Sequence, residues 1–173
     1  QLYKKGLLYK GYTIQPYSPA AGTGLSSHEL NQPGCYRDVK DTTATAQFDI
    51  LDPKPEMTGW GKPVFLAWTT TPWTLPSNTA LCVGPNIKYV CVRTYNPYTA
   101  EPVSAVMAEV LVGSYFKPEG AETPMEGYEA GAKVLPYRIV GGWTGAELVG
   151  MHYAQLMPWV KPTEKVDDNA PDY

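Results

Sequence analysis

The sequence lacks the features of disulfide-rich, zinc-binding and membrane-spanning proteins. Its 173 residues include only three cysteines, Cys35, Cys82 and Cys91, and no C-x-x-C pair occurs. This pattern favours free, mostly buried thiols, with a disulfide between Cys82 and Cys91 across a hairpin as the alternative. No apolar run approaches roughly 18 residues. No signal peptide is visible either, so we expect no contact with a membrane.

Basic charge is also scarce. The chain carries 14 lysines and arginines against 17 aspartates and glutamates, which gives a net charge of −3. A domain that binds nucleic acid by itself normally presents a basic surface to the phosphates. We therefore expect contact with RNA only through a small local patch, or with help from another part of a larger protein.

The composition is apolar and aromatic, and it is interrupted by many turn residues. Hydrophobic residues make up 43% of the chain, and 13 tyrosines and 5 tryptophans favour β structure. The 17 prolines and 16 glycines separate short segments. About seven short strands with turns between them predict a mainly β domain, either a barrel or a sandwich. The clearest strand patterns cover residues 45–51, 64–68, 79–83, 88–95, 103–107 and 133–140.

Helices are expected to be few and short. Residues 1–9 have the apolar spacing of the last turns of a helix, and residues 107–114 that of a short helix after a strand. The polar tail, residues 161–173, is expected to be frayed. Two pairs have the spacing of a capping box at a helix start, Ser26 with Glu29 and Thr144 with Glu147.

The most distinctive chemistry lies in the stretch that follows residues 64–68. This apolar run predicts a buried strand, and Thr69, Thr70 and Thr71 come directly after it. Pro72 cannot donate a ladder hydrogen bond, so regular pairing should end there. Hydroxyls that can each donate and accept are thus concentrated where a sheet opens to solvent or to a pocket. A bare threonine run is also common on strand surfaces, so the residues after it decide the interpretation.

Residues 68–80, Trp-Thr-Thr-Thr-Pro-Trp-Thr-Leu-Pro-Ser-Asn-Thr-Ala, resemble the threonine-rich peptide of the isoleucyl-tRNA synthetase family. In that family the peptide lines the hydrolytic editing site of an inserted connective domain. The sister valyl and leucyl enzymes carry a Thr-Thr-Arg-Pro form, whereas Thr71 and Trp73 here follow the isoleucyl form. The resemblance implies a compact β-barrel editing domain with a few short peripheral helices, which agrees with the mainly β strand pattern.

The resemblance also predicts how the chain is divided. Residues 1–35 would be a connecting segment from the synthetic core, with a partial helix, a strand and a short helix. Residues 36–173 would be the editing domain, incomplete at its C-terminal end. Some relatives place zinc-binding cysteines in the connecting segment, but the matching places here look like Ser18 and Ala21. No metal is therefore expected.

The site residues follow from the same peptide. The resemblance implies that Thr70 and Thr71 are the catalytic residues. It implies that the substrate is bound by Thr69, Trp73, Thr74 and Asn78. Neutral hydroxyls would place a water and the ester, and the tryptophan would form a wall. The site would remove valine from mischarged isoleucine tRNA. Such a second site is useful because one methylene changes pocket binding by only about 1–3 kcal/mol, a limit for which this family is the standard example.

Two motifs of the family site do not follow the threonine-rich peptide in this sequence. The family takes a histidine from a later Gly-Thr-Gly segment and an aspartate from the acidic motif after it, and neither motif occurs after residues 68–80 here. His152 lies in a different context, which favours an ordinary strand residue. Asp167 and Asp168 lie in the polar tail, so we interpret them as charged residues exposed to solvent. We therefore expect this segment by itself to hydrolyse the ester only weakly.

The resemblance further implies a class I parent enzyme that ligates isoleucine to its tRNA with ATP and Mg. The segment itself should hold no cofactor, because the His-x-Gly-His and Lys-Met-Ser-Lys-Ser signatures are absent. The expected partners are the acceptor end of isoleucine tRNA, mischarged valine and the rest of the synthetase chain, in a cytoplasmic monomer. The alternatives are the editing domain of a valyl or leucyl enzyme, and a non-catalytic β-sandwich that binds sugar through exposed aromatic side chains.

Overall fold

The computed structural model describes residues 1–159, and the chain forms two compact units, Gln1–Lys40 and a second one that begins at Asp41. The tail beyond, with the predicted solvated Asp167 and Asp168, lies outside the described residues. Among residues 1–159, no helix has the length and apolarity needed to cross a membrane.

The first unit contains short elements. They are a 3₁₀ helix (Tyr3–Lys5), strands β1 (Tyr17–Ser18) and β2 (Thr23–Gly24), which pair antiparallel, and helix α1 (Ser27–Leu30). The predicted capping box begins α1: the Ser26 hydroxyl accepts from the Glu29 N–H, and the Glu29 carboxylate accepts from the Ser26 N–H at 2.7 Å. The hydrogen bond from the Ser26 backbone N–H lowers the pKa of Glu29, and the bond from the Ser26 hydroxyl lowers it further by a smaller amount.

The second unit is built on one five-stranded sheet. Its strands are β3 (Ala44–Asp49), β4 (Lys62–Thr69), β5 (Lys88–Tyr95), β6 (Pro102–Ala108) and β7 (Arg138–Thr144). The spatial order is β3-β4-β6-β5-β7; β4 and β6 are parallel, and the other neighbours are antiparallel. Short helices lie between and after these strands: the 3₁₀ segments Pro55–Met57, Pro72–Ser77, Glu109–Leu111, Pro118–Ala121 and Gly145–Glu147, and α2 (Val112–Tyr115).

The mainly β class with few short helices is confirmed, but the sheet is open. Strands β3 and β7 are its edges, and over the described part of the second unit no ladder joins them into a barrel. Beyond the end of β3, one isolated antiparallel bridge connects Ile50 with Tyr153. No second sheet packs against this one within residues 41–159, as a sandwich would require.

Strands β5 and β6 are buried on both faces of the sheet. Val90 and Val92 of β5 pack with α2 on one face, while Cys91, between them, packs with Ile50 and Met57 on the other. Because successive strand side chains point to opposite faces, this burial produces a nearly continuous apolar sequence. The prediction of a strand at residues 88–95 is confirmed to the residue for this reason.

Two strand predictions differ from the structure. Residues 79–83 form no strand, because β6 and β7 occupy both edges of β5 and leave no free ladder for a hairpin partner. Strand β7 begins at Arg138 rather than at residue 133. Pro136 is fully buried just before it and has no N–H to donate to a ladder.

Gly61 allows β4 to start beside β6. It has φ of +52°, and a Cβ at this position would lie 1.9 Å from the carbonyl oxygen of Pro102. The parallel ladder begins at the next residue, where Lys62 pairs with Val103. Only a glycine permits both the left-handed backbone and this close approach of two chains.

We predict that Gly61→Ala destabilises the chain much more than Gly127→Ala. Both glycines have positive φ, but a Cβ at Gly127 would meet nothing within 4 Å. Backbone strain costs about 1–2 kcal/mol at either position, and overpacking at Gly61 adds about 1–3 kcal/mol. Urea unfolding of both variants measures the difference in unfolding free energy. Equal losses would contradict the role assigned to the contact with Pro102.

The three cysteines are all free, and only one of them is buried. Cys35 and Cys82 are exposed, so the expectation of mostly buried thiols is wrong for these two, whereas Cys91 lies in the core. Burial raises the pKa of Cys91 to about 11. The thiolate is the reactive form, so Cys91 should be inert near neutral pH.

We predict that Ellman's reagent at pH 8 titrates Cys35 and Cys82 quickly and Cys91 only after denaturation. Burial both blocks access to the Cys91 thiol and suppresses its ionisation. A chain with Cys35→Ser and Cys82→Ser serves as the control and should show no fast-reacting thiol. Fast reaction of that double variant in the folded state would show that Cys91 is accessible.

Candidate functional site

The threonine-rich turn, residues 69–74, begins where β4 ends. Thr69 is the last paired residue of β4 and lies opposite Ala44 of β3. Thr70 and Thr71 follow as exposed residues, and Pro72 opens the 3₁₀ helix Pro72–Ser77. The fixed φ of proline suits the first position of a helix, and its missing N–H ends the ladder. Sheet pairing thus stops at Thr69, three positions before the proline at which it was expected to end.

The hydroxyls of this turn bond with one another and with the backbone. Thr69 Oγ1 accepts from the Thr71 N–H at 3.0 Å and lies 3.2 Å from Thr71 Oγ1. Thr74 Oγ1 donates to the Thr71 carbonyl oxygen at 2.8 Å. Because a hydroxyl both donates and accepts, the Thr69–Thr71 pair retains capacity for a further partner such as a water.

A cleft of about 420 Å³ lies beside the turn. Three predicted binding residues line it, namely Thr69, Thr74 and Asn78. The remaining lining residues are Phe48, Ala67, Trp68, Leu75, Ser77, Thr79, Ala80 and Leu81. The cleft thus has polar groups from the turn on one side and apolar groups from β3, β4 and the following segment on the other.

Three predicted site residues lie outside the lining of the cleft. Thr70 and Thr71 are exposed on the turn, and only Thr71 is tied to the cleft, through its hydroxyl contact with Thr69. Trp73 is 66% exposed and is not part of the cleft wall. Trp68, which was not singled out from the sequence, lines the cleft and is 60% exposed.

The side chain of Asn78 is held from two sides. Its Nδ2 donates to the carbonyl oxygen of Ala80 at 3.2 Å, and its Oδ1 accepts from the hydroxyl of Tyr153 at 2.6 Å. The ring of Tyr153 packs edge-to-face on Phe48, with ring centroids 5.1 Å apart. Sequence reasoning missed Tyr153, because no local pattern signals a contact between residues 75 positions apart.

A histidine–aspartate pair lies next to Tyr153 in sequence. His152 Nδ1 lies 3.0 Å from Asp52 Oδ2, and the His152 backbone N–H donates to Asp52 Oδ1 at 2.8 Å. Burial raises the pKa of Asp52, but these hydrogen bonds outweigh it, so the pKa of Asp52 is lowered overall. His152 is exposed and belongs to none of the strands, contrary to the strand prediction.

A second, more apolar hollow of about 360 Å³ adjoins the cleft and shares Ala67 and Leu81 with it. Tyr153, Phe65 and Met151 are part of its lining. Tyr153 therefore lies at the boundary, with its hydroxyl on a cleft residue and its ring bordering the hollow. Neither space holds a set of metal ligands: within residues 1–159 no three His, Cys, Asp or Glu side chains are grouped to bind an ion.

Comparison with known proteins finds relatives that are named isoleucine–tRNA ligase. No family model matches the chain. It is 67% identical over 168 residues to an isoleucine–tRNA ligase of Bacteroides thetaiotaomicron and 64% identical over 165 residues to one of Porphyromonas gingivalis. A more distant ligase, from Clostridium tetani, is 37% identical over 165 residues.

These matches cover nearly all of this chain but little of the relatives. The alignments include 97%, 95% and 95% of this chain, and the chain spans only 14%, 14% and 13% of the three ligases. The chain is therefore similar to one segment of these much longer proteins. The chain belongs to the isoleucine–tRNA ligase family, in which it corresponds to one segment.

Proposed function

We propose that this segment is the editing domain of an isoleucine–tRNA ligase and hydrolyses the ester of valyl-tRNA(Ile). The observation that carries the proposal is the position of the threonine-rich turn, which lies beside a cleft lined by Thr69, Thr74 and Asn78. The identity of 67% to a protein named isoleucine–tRNA ligase supports the isoleucine system over the valyl and leucyl ones.

Ester hydrolysis needs a placed water and donors for the oxyanion that develops in the transition state. Thr70 and Thr71 are proposed as the catalytic residues. Thr71 Oγ1 and Thr69 Oγ1 lie 3.2 Å apart, so one water or one ester oxygen can contact both hydroxyls. Because none of the described residues that line the cleft is charged, catalysis would depend on the placement of neutral hydrogen-bonding groups.

Substrate binding is proposed for Thr69, Thr74 and Asn78 on the cleft wall and for Trp73 next to it. The exposed ring of Trp73 would cover the substrate from the solvent side once the tRNA end is bound. An isoleucyl group is one methylene larger than a valyl group, and a pocket of fixed size excludes the larger group more strongly than it attracts the smaller one.

The activity of the full-length parent is part of the same proposal. We propose that it ligates isoleucine to its tRNA with ATP and Mg, which bind outside this segment, and that this segment receives the tRNA acceptor end. The names of the relatives support the ligase reaction and the tRNA partner. The cytoplasmic location and the monomeric state stay predictions. The family's histidine and aspartate motifs do not follow residues 68–80 in these 173 residues, so we propose weak hydrolysis by the 173-residue chain alone.

We predict that replacing the turn hydroxyls impairs deacylation without affecting ligation. Thr71→Val and Thr69→Val keep the side-chain shape but remove the paired hydroxyls. Each should lower the single-turnover rate of valine release from valyl-tRNA(Ile) by about 100-fold, as expected for the loss of an oxyanion donor. The assay uses the full-length ligase that carries this segment, and Thr70→Val tests the second catalytic assignment in the same way.

Two controls make this experiment specific. Thr99→Val removes the hydroxyl of another exposed threonine, in the turn between β5 and β6, and should leave deacylation unchanged. The rate of isoleucine ligation should be the same in all variants, because it occurs in another part of the enzyme. A variant that combines Thr69→Val, Thr70→Val and Thr71→Val lacks all three hydroxyls. Normal valine release by this variant would refute the editing assignment.

A further inference from the structure

Tyr153 is held rigidly at the end of β3. On either side of it, the His152 carbonyl accepts from the Leu51 N–H at 3.0 Å, and the Ala154 N–H donates to the Asp49 carbonyl at 2.8 Å. These bonds make the antiparallel bridge between Ile50 and Tyr153. The ring then packs on Phe48, which is itself buried. The hydroxyl therefore has a defined position, although it belongs to a segment without regular secondary structure.

The contacts of Asn78 determine the direction of its amide. The Ala80 carbonyl can only accept, so the amide nitrogen of Asn78 must face it. The amide oxygen must then face Tyr153, and the tyrosine hydroxyl must be the donor at 2.6 Å. One N–H of the amide is used on Ala80. The other has no partner among the hydrogen bonds of the described residues, and Asn78 lines the cleft.

We propose that Tyr153 is a positioning residue that fixes the amide of Asn78, so that its second N–H donates to an oxygen of the aminoacyl ester in the cleft. The inference rests on the proposed editing function, and it adds a residue that the threonine-rich peptide does not contain. Without the tyrosine hydroxyl, the amide can rotate about its terminal bond, whose torsion is broad, and the donor is lost from its place.

The expected kinetic effect is moderate and specific. Tyr153→Phe keeps the ring on Phe48 but removes the donor, and it should slow valine release at saturating valyl-tRNA(Ile) by about five-fold, the value of one neutral hydrogen bond. Asn78→Ala should slow it at least as much. Adding Tyr153→Phe to Asn78→Ala should change nothing further, because the tyrosine acts only through the asparagine. These assays use the full-length ligase.

A second readout does not depend on the editing reaction. In ¹⁵N NMR spectra of the 173-residue chain, the side-chain NH₂ signals of Asn78 are identified by their loss in Asn78→Ala. In Tyr153→Phe they should move to the positions of a solvent-exposed asparagine. Tyr95→Phe is the matched control, because the Tyr95 hydroxyl donates to another acceptor, the Met125 carbonyl. It should leave the Asn78 signals and the deacylation rate unchanged.

The outcomes separate the inference from the proposed function. Unchanged Asn78 signals in Tyr153→Phe overturn the positioning role. Shifted signals with an unchanged deacylation rate, in a ligase whose wild type releases valine, overturn its link to catalysis. Failure of the wild-type ligase to release valine refutes the proposed function and with it the substrate contact, while the NMR result alone then decides whether Tyr153 orients Asn78.

Discussion

The parallel pairing of β4 with β6 is the interaction on which the position of the candidate site depends. Strand β6 is buried on both faces, and its register sets Val64 opposite Ala105 and Phe65 opposite Val106. Since β4 continues from this anchored end to Thr69, the threonine-rich turn is held in a fixed position at the end of the strand. Gly61 makes the pairing possible by letting the backbone pass Pro102 at close range.

The proposed chemistry uses neutral groups on a rigid support. The hydroxyls of Thr69 and Thr71 contact each other at the end of a strand, while Tyr153 and Ala80 orient the amide of Asn78. Neutral donors whose direction is fixed in advance stabilise developing charge without reorganisation at the moment of reaction. Such a site needs many hydrogen bonds to its own structure, and the turn has them.

Local patterns in the sequence predicted the elements whose causes are local. The capping boxes at Ser26 and Thr144 formed because each pair closes within four consecutive residues. The β5 strand was evident because burial on both faces leaves an apolar run at residues 89–92. Residues 79–83 have the same β-type composition, yet they form no strand, because competition for the edges of β5 is a property of the whole sheet.

For the candidate site, the sequence by itself determined the composition of the turn and the limit beyond which strand pairing cannot continue, since a proline has no N–H to donate to a ladder. Only the tertiary structure decided which side chains line the cleft: Thr69 and Thr74 do, whereas Thr70, Thr71 and Trp73 do not. It also brought Tyr153 to Asn78. The physical reason is that cleft walls and long-range hydrogen bonds arise from the packing of distant segments, which no local residue pattern encodes.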